Sequence, residues 1–277
     1  MKVIIQNLHK EKHLASDLAT KYDHPDIMLL QEINLYSEDV AINDDDCRYP
    51  YDCAHNTSKF GYGTAIYAKK NPTTATSTAT NGAAAAATTT VNTGQTRESR
   101  TLSNIRYVDS PHAETGGFIY KKTVIATYNY TSKNADGGGE TRNQIELISF
   151  HGYNGQPLKS VTKLVDHVKA VLEEVRVKNR NPNKSNNNKQ QSATNIPAIF
   201  GGDFNTWTRK HINAVSDVLR DAGFTLLYSW PYPGRRAPLD HLFVRGDIIT
   251  NNVNKSDITV FSNASDHNGI VFEIQNI

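Results

Sequence analysis

What most constrains the fold of this chain is a recurring pattern: short apolar runs that stop abruptly at a small set of acids, amides and histidines. The clearest case is Ile196 to Phe200, followed by Gly201-Gly202-Asp203-Phe204-Asn205. An apolar run of this length bounded by turn residues reads as a buried strand. Side chains alternate along an extended chain, which would aim Asp203 and Asn205 at one point and turn Phe204 into the core. Gly-Gly-Asp and Asn equally suit a plain turn, so this segment alone leaves both readings open.

The same pattern recurs along the chain. Val3-Ile4-Ile5 runs into Gln6-Asn7, Asp26 to Leu30 into Gln31-Glu32, and Ile145 to Phe150 into His151-Gly152. Near the C-terminal end, Leu239-Asp240-His241 precedes Leu242-Phe243-Val244, and Ser265-Asp266-His267 precedes Ile270-Val271-Phe272. Polar groups placed where apolar strands meet loops are the usual material of an active site. Each has a plain alternative: Asn7 and Glu32 suit helix caps, Asp240 and Asp266 suit turns, and His151 suits a hydrogen-bonded core position.

Taken in order, Gln6-Asn7, Leu30-Gln31-Glu32, Phe150-His151-Gly152, Gly202-Asp203-Phe204-Asn205, Leu239-Asp240-His241 and Ser265-Asp266-His267 resemble the motifs of the endonuclease/exonuclease/phosphatase superfamily, the DNase I-like phosphoesterases. The resemblance runs from Asn7 to His267. It implies an α/β fold, a four-layer sandwich of two packed β-sheets flanked by helices, formed by one domain over 1–277. It also implies a divalent ion, Mg²⁺ with Mn²⁺ as the alternative, held chiefly by Glu32 with Asp266 and Asn7 nearby; hard oxygen donors suit such ions. By the same carry-over, Asp203 orients or deprotonates the attacking water, and Asn205 donates its amide to a phosphate oxygen. His267, held by Asp240, donates to the phosphate, with His151 as a second imidazole and Arg142 as a phosphate-contacting cation. One departure stands out. Nucleases of this type pair the histidine matching His151 with a mid-chain glutamate, whereas Gly61-Tyr62-Gly63-Thr64-Ala65-Ile66 holds no acid.

Composition narrows the partners only loosely. A net charge of +2 over 277 residues permits an anionic substrate without demanding nucleic acid. No apolar run approaches the ~20 residues of a membrane span, and the N-terminal stretch reads as a polar-flanked strand rather than a signal peptide, so a soluble chain is expected with its compartment open. Two cysteines, Cys47 and Cys53, are spaced for a small disulfide ring but equally suit free thiols. Segments 71–96, rich in Thr and Ala, and 179–195, rich in Asn and Lys, read as flexible insertions. Helical periodicity predicts helices over 11–21, 157–177 and 208–222.

The substrate reading favoured by the sequence is nucleic acid cleaved by a monomeric enzyme. It rests on the mild positive charge and on Tyr153, Trp207, Trp230 and Tyr232 near motif ends, with Arg235-Arg236 before Asp240. A phosphoinositide or other phosphomonoester phosphatase is the alternative. A catalytically inactive binding module is the third reading, and no motif residue has been lost to support it. No amphipathic run marks a membrane-docking hairpin.

Overall fold

The computed structural model describes residues 1–10, 14–34, 51–58, 61–70, 100–114, 117–133, 139–154, 159–177, 196–235, 237–246, 252–263 and 265–275. Cys47 and both predicted insertions lie outside the described residues, and with Cys47 the choice between a disulfide and free thiols.

Among the described residues, twelve strands form two six-stranded sheets. The first comprises β1 (Lys2–Asn7), β2 (Ile27–Asn34), β3 (Tyr51–Thr57), β4 (Tyr62–Lys69), β11 (Thr259–Phe261) and β12 (Gly269–Glu273), in the order β11-β12-β1-β2-β4-β3. The second comprises β5 (Thr101–Asp109), β6 (Lys122–Lys133), β7 (Glu140–His151), β8 (Ala198–Asp203), β9 (Thr225–Trp230) and β10 (Asp240–Arg245), in the order β5-β6-β7-β8-β10-β9. Both sheets are mixed: β1 runs parallel to β2 and β7 parallel to β8, while the other neighbours are antiparallel.

Among the described residues, three α-helices complete four layers. α1 (Leu14–Lys21) covers the outer face of the first sheet, where Ala15 and Leu18 pack with Ile4, Met28 and Leu30. α2 (Val161–Val177) and α3 (Arg209–Asp221) cover the second, with Leu164, Val168, Val215 and Leu219 against Ile148, Phe200 and Phe243. Between the sheets lies the central core, including Val3, Ile5, Leu29, Ile66, Ala126, Leu147, Ile199, Leu242 and Phe272. Alternation explains the partition: Ile4 and Ile5 are adjacent in β1, yet one meets α1 and the other the facing sheet. Strands buried on both faces read as unbroken apolar runs, as the sequence shows.

Helix ends follow local chemistry. Thr208, at φ −140, caps α3 by accepting from the His211 backbone N–H, and Gly223 follows Ala222 in the left-handed conformation at φ 82. The predicted helix over 208–222 thus includes its two caps. β3, β5, β6 and β9 give little sequence signal, because they are rich in Thr, Asn, Tyr and Ser and carry no continuous apolar run.

Candidate active site

The motif residues meet at the ends of strands drawn from both sheets. Register sets this up: Asp203 of β8 lies beside His151 of β7 on one side and Asp240 of β10 on the other. Close backbone approach is required here. A Cβ on Gly202, which has φ 140, would fall 2.2 Å from the Phe150 carbonyl oxygen, and one on Gly152 would fall 2.7 Å from that of Phe204.

Asp203 is the hub. Its Oδ2 accepts from Asn7 Nδ2 at 3.1 Å, reaching across from the first sheet, and lies 3.7 Å from His151 Nε2 and 3.8 Å from His267 Nε2. Strand β8 ends at Asp203, so the expected alternation does not carry on to Asn205. A turn does the work instead: Asn205 adopts φ 53, its backbone N–H donates to Asp203 Oδ1 at 2.8 Å, and its amide donates to the Gly152 carbonyl at 2.9 Å and to Asp203 Oδ2 at 3.3 Å. At Asn205 the turn reading therefore holds and the alternation reading does not, and the turn is what makes the two side chains converge. Phe204 is fully buried against Phe150, Phe200 and Phe243. Truncating it to Ala would cost about 3–5 kcal/mol.

His267 Nδ1 donates to Asp240 Oδ2 at 2.9 Å, deep in the protein. Burial opposes its charge, but Asp240 and Asp203 overcome that and raise its pKa to about 10, so the ring is an imidazolium at neutral pH. Burial lifts Asp203 to about 7 despite the opposing charge of His267, and Asp240 is raised for the same first reason. A carboxyl titrating near neutrality between two imidazoles is suited to receiving a proton from water.

His151 has the opposite balance. Burial, then the Lys121 ammonium and His267, push its pKa well below the usual histidine range. Lys121 Nζ sits 2.7 Å from His151 Nε2; an ammonium can only donate, so that nitrogen accepts and the proton lies on Nδ1. Lys121 also lies 3.6 Å from Glu32 and 3.8 Å from Glu114. Glu32 Oε1 lies 3.4 Å from the same His151 nitrogen, so that ring meets both an ammonium and a carboxylate, and the acid comes from β2 and not from the 61–66 stretch where the resemblance leads one to look for it. Lys121 carries no motif signal, since Lys121-Lys122 before a strand looks like an ordinary solvated pair.

Glu32 owes its position to a β-bulge. The β2–β4 register skips from Gln31 to Ile33, and Glu32 stands unpaired at φ 50, an uncommon conformation for a side chain of its kind. The bulge turns its carboxylate into the site, where Oε2 lies 4.0 Å and Asp266 Oδ1 3.0 Å from His9 Nδ1. Asp266 also accepts from the Tyr232 hydroxyl at 2.9 Å; burial first, and then this bond, push the phenol up to about 12.

Two sets of residues suit a metal ion. Asp203, Asp240 and His267 present ligand atoms within 4.8 Å of one another, but all three are buried and two of those atoms are already joined by a hydrogen bond. Glu32 and Asp266 offer oxygens that converge on His9, with side-chain exposures of 17% and 40%, so an ion there would retain waters. An all-oxygen, partly solvated donor set fits a hard divalent ion better than a closed pair already saturated by its own hydrogen bond.

One expected member is absent from the cluster. Arg142 is exposed near the start of β7, nine residues before His151, or about 30 Å away at ~3.3 Å per strand residue. A long strand places its two ends at opposite edges of the sheet, which sequence proximity conceals. The aromatics also divide: Trp230 is wholly buried and donates to the Asn268 carbonyl, whereas Trp207 and Tyr232 border the site. Between β5 and β6, Phe118, Ile119 and Tyr120 are exposed in succession, with Phe118 at 72%. This apolar tip, only three residues long, is too short to register as an amphipathic run. No helix among the described residues is long and apolar enough to cross a membrane.

Comparison with solved structures shows the same fold. The catalytic domain of human Nocturnin superposes with a TM-score of 0.54 at 14% identity, covering 98% of this chain and 92% of that one. The endonuclease domain of a telomere-specific non-LTR retrotransposon gives 0.51 at 14% identity, covering 99% of both chains. A mannosyl-6-phosphatase of Bacteroides thetaiotaomicron gives 0.51 at 13% identity, covering 99% and 98%. In sequence, a UPF0294 protein of Yersinia pestis is 37% identical over 83 residues, a stretch that spans 28% of this chain and only 30% of the relative. A UPF0294 protein of Vibrio vulnificus is 38% identical over 79 residues, 27% of this chain and 26% of the relative. The description Endonuclease/Exonuclease/phosphatase family matches residues 5–267, a span that takes in every motif at the strand ends, and the protein belongs to that family.

Proposed function

We propose that this protein is a divalent-metal-dependent nuclease that hydrolyses phosphodiester bonds of nucleic acid. The observation that carries the reading is the placement of Asp203, a carboxyl poised near neutrality, between the imidazolium of His267 and the amide of Asn205. Phosphoryl transfer asks for an aimed water, neutralised phosphoryl oxygens and a stabilised leaving oxygen. Asp203 takes the proton of the attacking water. Asn205 Nδ2, exchanging its long 3.3 Å bond to Asp203, and the charged His267 Nε2 donate to phosphoryl oxygens, and Asp240 keeps that imidazole charged and oriented. Neutral His151 accepts from Lys121 through Nε2 and so holds that ammonium at the site, where it supplies positive charge to the phosphate. Glu32, Asp266 and Asn7 would hold Mg²⁺ or Mn²⁺, whose chemistry when bound is charge neutralisation at the phosphate and leaving oxygen.

The same catalytic edge would serve a phosphomonoesterase, and likeness to both an endonuclease domain and a sugar phosphatase at one TM-score leaves that alternative in place. Supercoiled plasmid incubated with Mg²⁺, with and without chelator, tests the reading. Nicking that disappears with chelator and with Asp203→Ala supports the nuclease. Intact plasmid together with phosphate release from inositol phosphates overturns it in favour of the phosphatase, and inertness toward every ester in favour of a binding module.

A further inference from the structure

Two cations and one indole form an unusual arrangement beside the catalytic floor. Lys159 Nζ lies 3.4 Å and Arg235 Cζ 4.0 Å from the centroid of the Trp207 ring. At such distances both sit close to the ring normal, and on one side they would overlap, so they cover opposite faces. Trp207 is therefore closed to a stacking base. It is a spacer clamped between two charges.

The sandwich is held rigidly from several directions. Trp207 Nε1 donates to Asn154 Oδ1 at 2.8 Å, and its backbone N–H donates to the Asn205 carbonyl at 3.0 Å, which ties it directly to the phosphate-facing turn. Lys159 is kept at φ 39, a left-handed conformation disfavoured for lysine, with its carbonyl accepting from His211 Nε2 at 2.7 Å. The Arg235 guanidinium lies 5.5 Å from the ring centroid of Tyr232, whose own ring packs edge-on against His267. Strain retained at a fixed position beside a catalytic cluster is a pointer to function. Among the described residues no carboxylate pairs with Lys159 or Arg235. Burial, and then the neighbouring Arg235, lower the pKa of Lys159, as expected of two like charges held together without a counter-ion.

We infer that the Lys159–Trp207–Arg235 sandwich is a binding site for a second phosphate of the substrate, next to the one being hydrolysed. The inference rests on the hydrolytic reading above and deepens it: the preferred substrate carries at least two phosphates, and a lone phosphoester leaves both cations unneutralised. A nucleic-acid strand and a small bisphosphorylated molecule share that chemistry.

Three substrates separate these cases: bis-p-nitrophenyl phosphate with its single phosphate, a short DNA oligonucleotide, and inositol 1,4-bisphosphate. In the Lys159→Gln/Arg235→Gln double variant, KM for the oligonucleotide should rise about tenfold or more, and the log–log salt dependence of its binding should flatten by about one to two units. Turnover of bis-p-nitrophenyl phosphate should stay within about twofold, and Arg235→Lys should recover part of the loss. A loss confined to the inositol bisphosphate keeps the second-phosphate site and assigns it to a small molecule instead of a strand. Equal losses on the one-phosphate ester and the oligonucleotide, or no loss on any substrate, overturn the inference. If the wild-type protein hydrolyses none of the three, the hydrolytic reading fails on its own. Oligonucleotide binding followed by anisotropy then decides the site independently: weakening in the double variant sustains it, and equal affinity removes it.

Discussion

His267 and His151 stand on either side of Asp203, each with Nε2 within 4 Å of the same carboxylate oxygen, yet they hold opposite proton states. His267 leans on a buried carboxylate and stays charged; His151 faces an ammonium and stays neutral. Both rings are buried, and burial alone would discharge either one. Neighbour identity therefore decides the outcome. A site with one imidazolium and one neutral imidazole can offer a charged donor on one side of a phosphate without facing two repelling cations.

The largest expected effect comes from removing what the two histidines share. Asp203→Asn should lower turnover about a thousandfold or more while the thermal melt stays close to wild type; initial rates near wild type would dismantle the site as assigned. Next, Asp240→Asn withdraws the carboxylate that keeps His267 charged. The His267 pKa should then drop from about 10, so the alkaline limb of the pH–rate profile should move to lower pH and turnover at pH 8 should fall about ten- to a hundredfold. A limb that does not move would mean that His267 is not the charged donor. On the other side, Lys121→Met removes the cation facing His151. The NMR titration of that ring should shift upward and turnover should drop about tenfold, whereas an unchanged titration would leave the asymmetry to burial alone.

Two further buried histidines, for which burial outweighs any charged neighbour, extend the comparison to stability. His167 and His241 are each held at about 3 by burial, the first beside Thr123 and Phe150, the second between Thr206 and Ser229. Their folded pKa values lie below the ordinary histidine value of 6.5, so their contribution is intact above pH 6.5 and is lost as pH falls toward 3, where the unfolded chain binds protons that the native state refuses. The urea midpoint should decline over that window, and His167→Leu should make the decline shallower. The smallest effect is expected from Arg142→Ala, with activity within about twofold of wild type, because the far end of β7 does not reach the phosphate.

Much of the fold and part of the candidate site are legible in the sequence, for a local reason. A strand buried on both faces must be a run of apolar residues, and the point where it ends is visible as the first polar pair; Asn7, Glu32, His151, Asp203 and Asp240 all announce themselves this way. β5, β6 and the first half of β7 are less visible, because they are rich in Thr, Tyr and Asn. Glu114, Lys121 and Lys159 follow no run, and each acquires meaning only from what stands opposite it.

By itself, the sequence determined which side chains could do phosphate chemistry and that they lie at strand ends, because hydrophobic periodicity and chain breaks are properties of consecutive residues. Only the tertiary structure decided how those side chains are charged and which of them meet. It set the bulge that turns Glu32 inward, removed Arg142 to the far edge of a sheet, placed an ammonium against His151, and clamped Trp207 between two cations. Proton affinity and charge balance depend on distance and burial in three dimensions, and neither is a function of sequence separation.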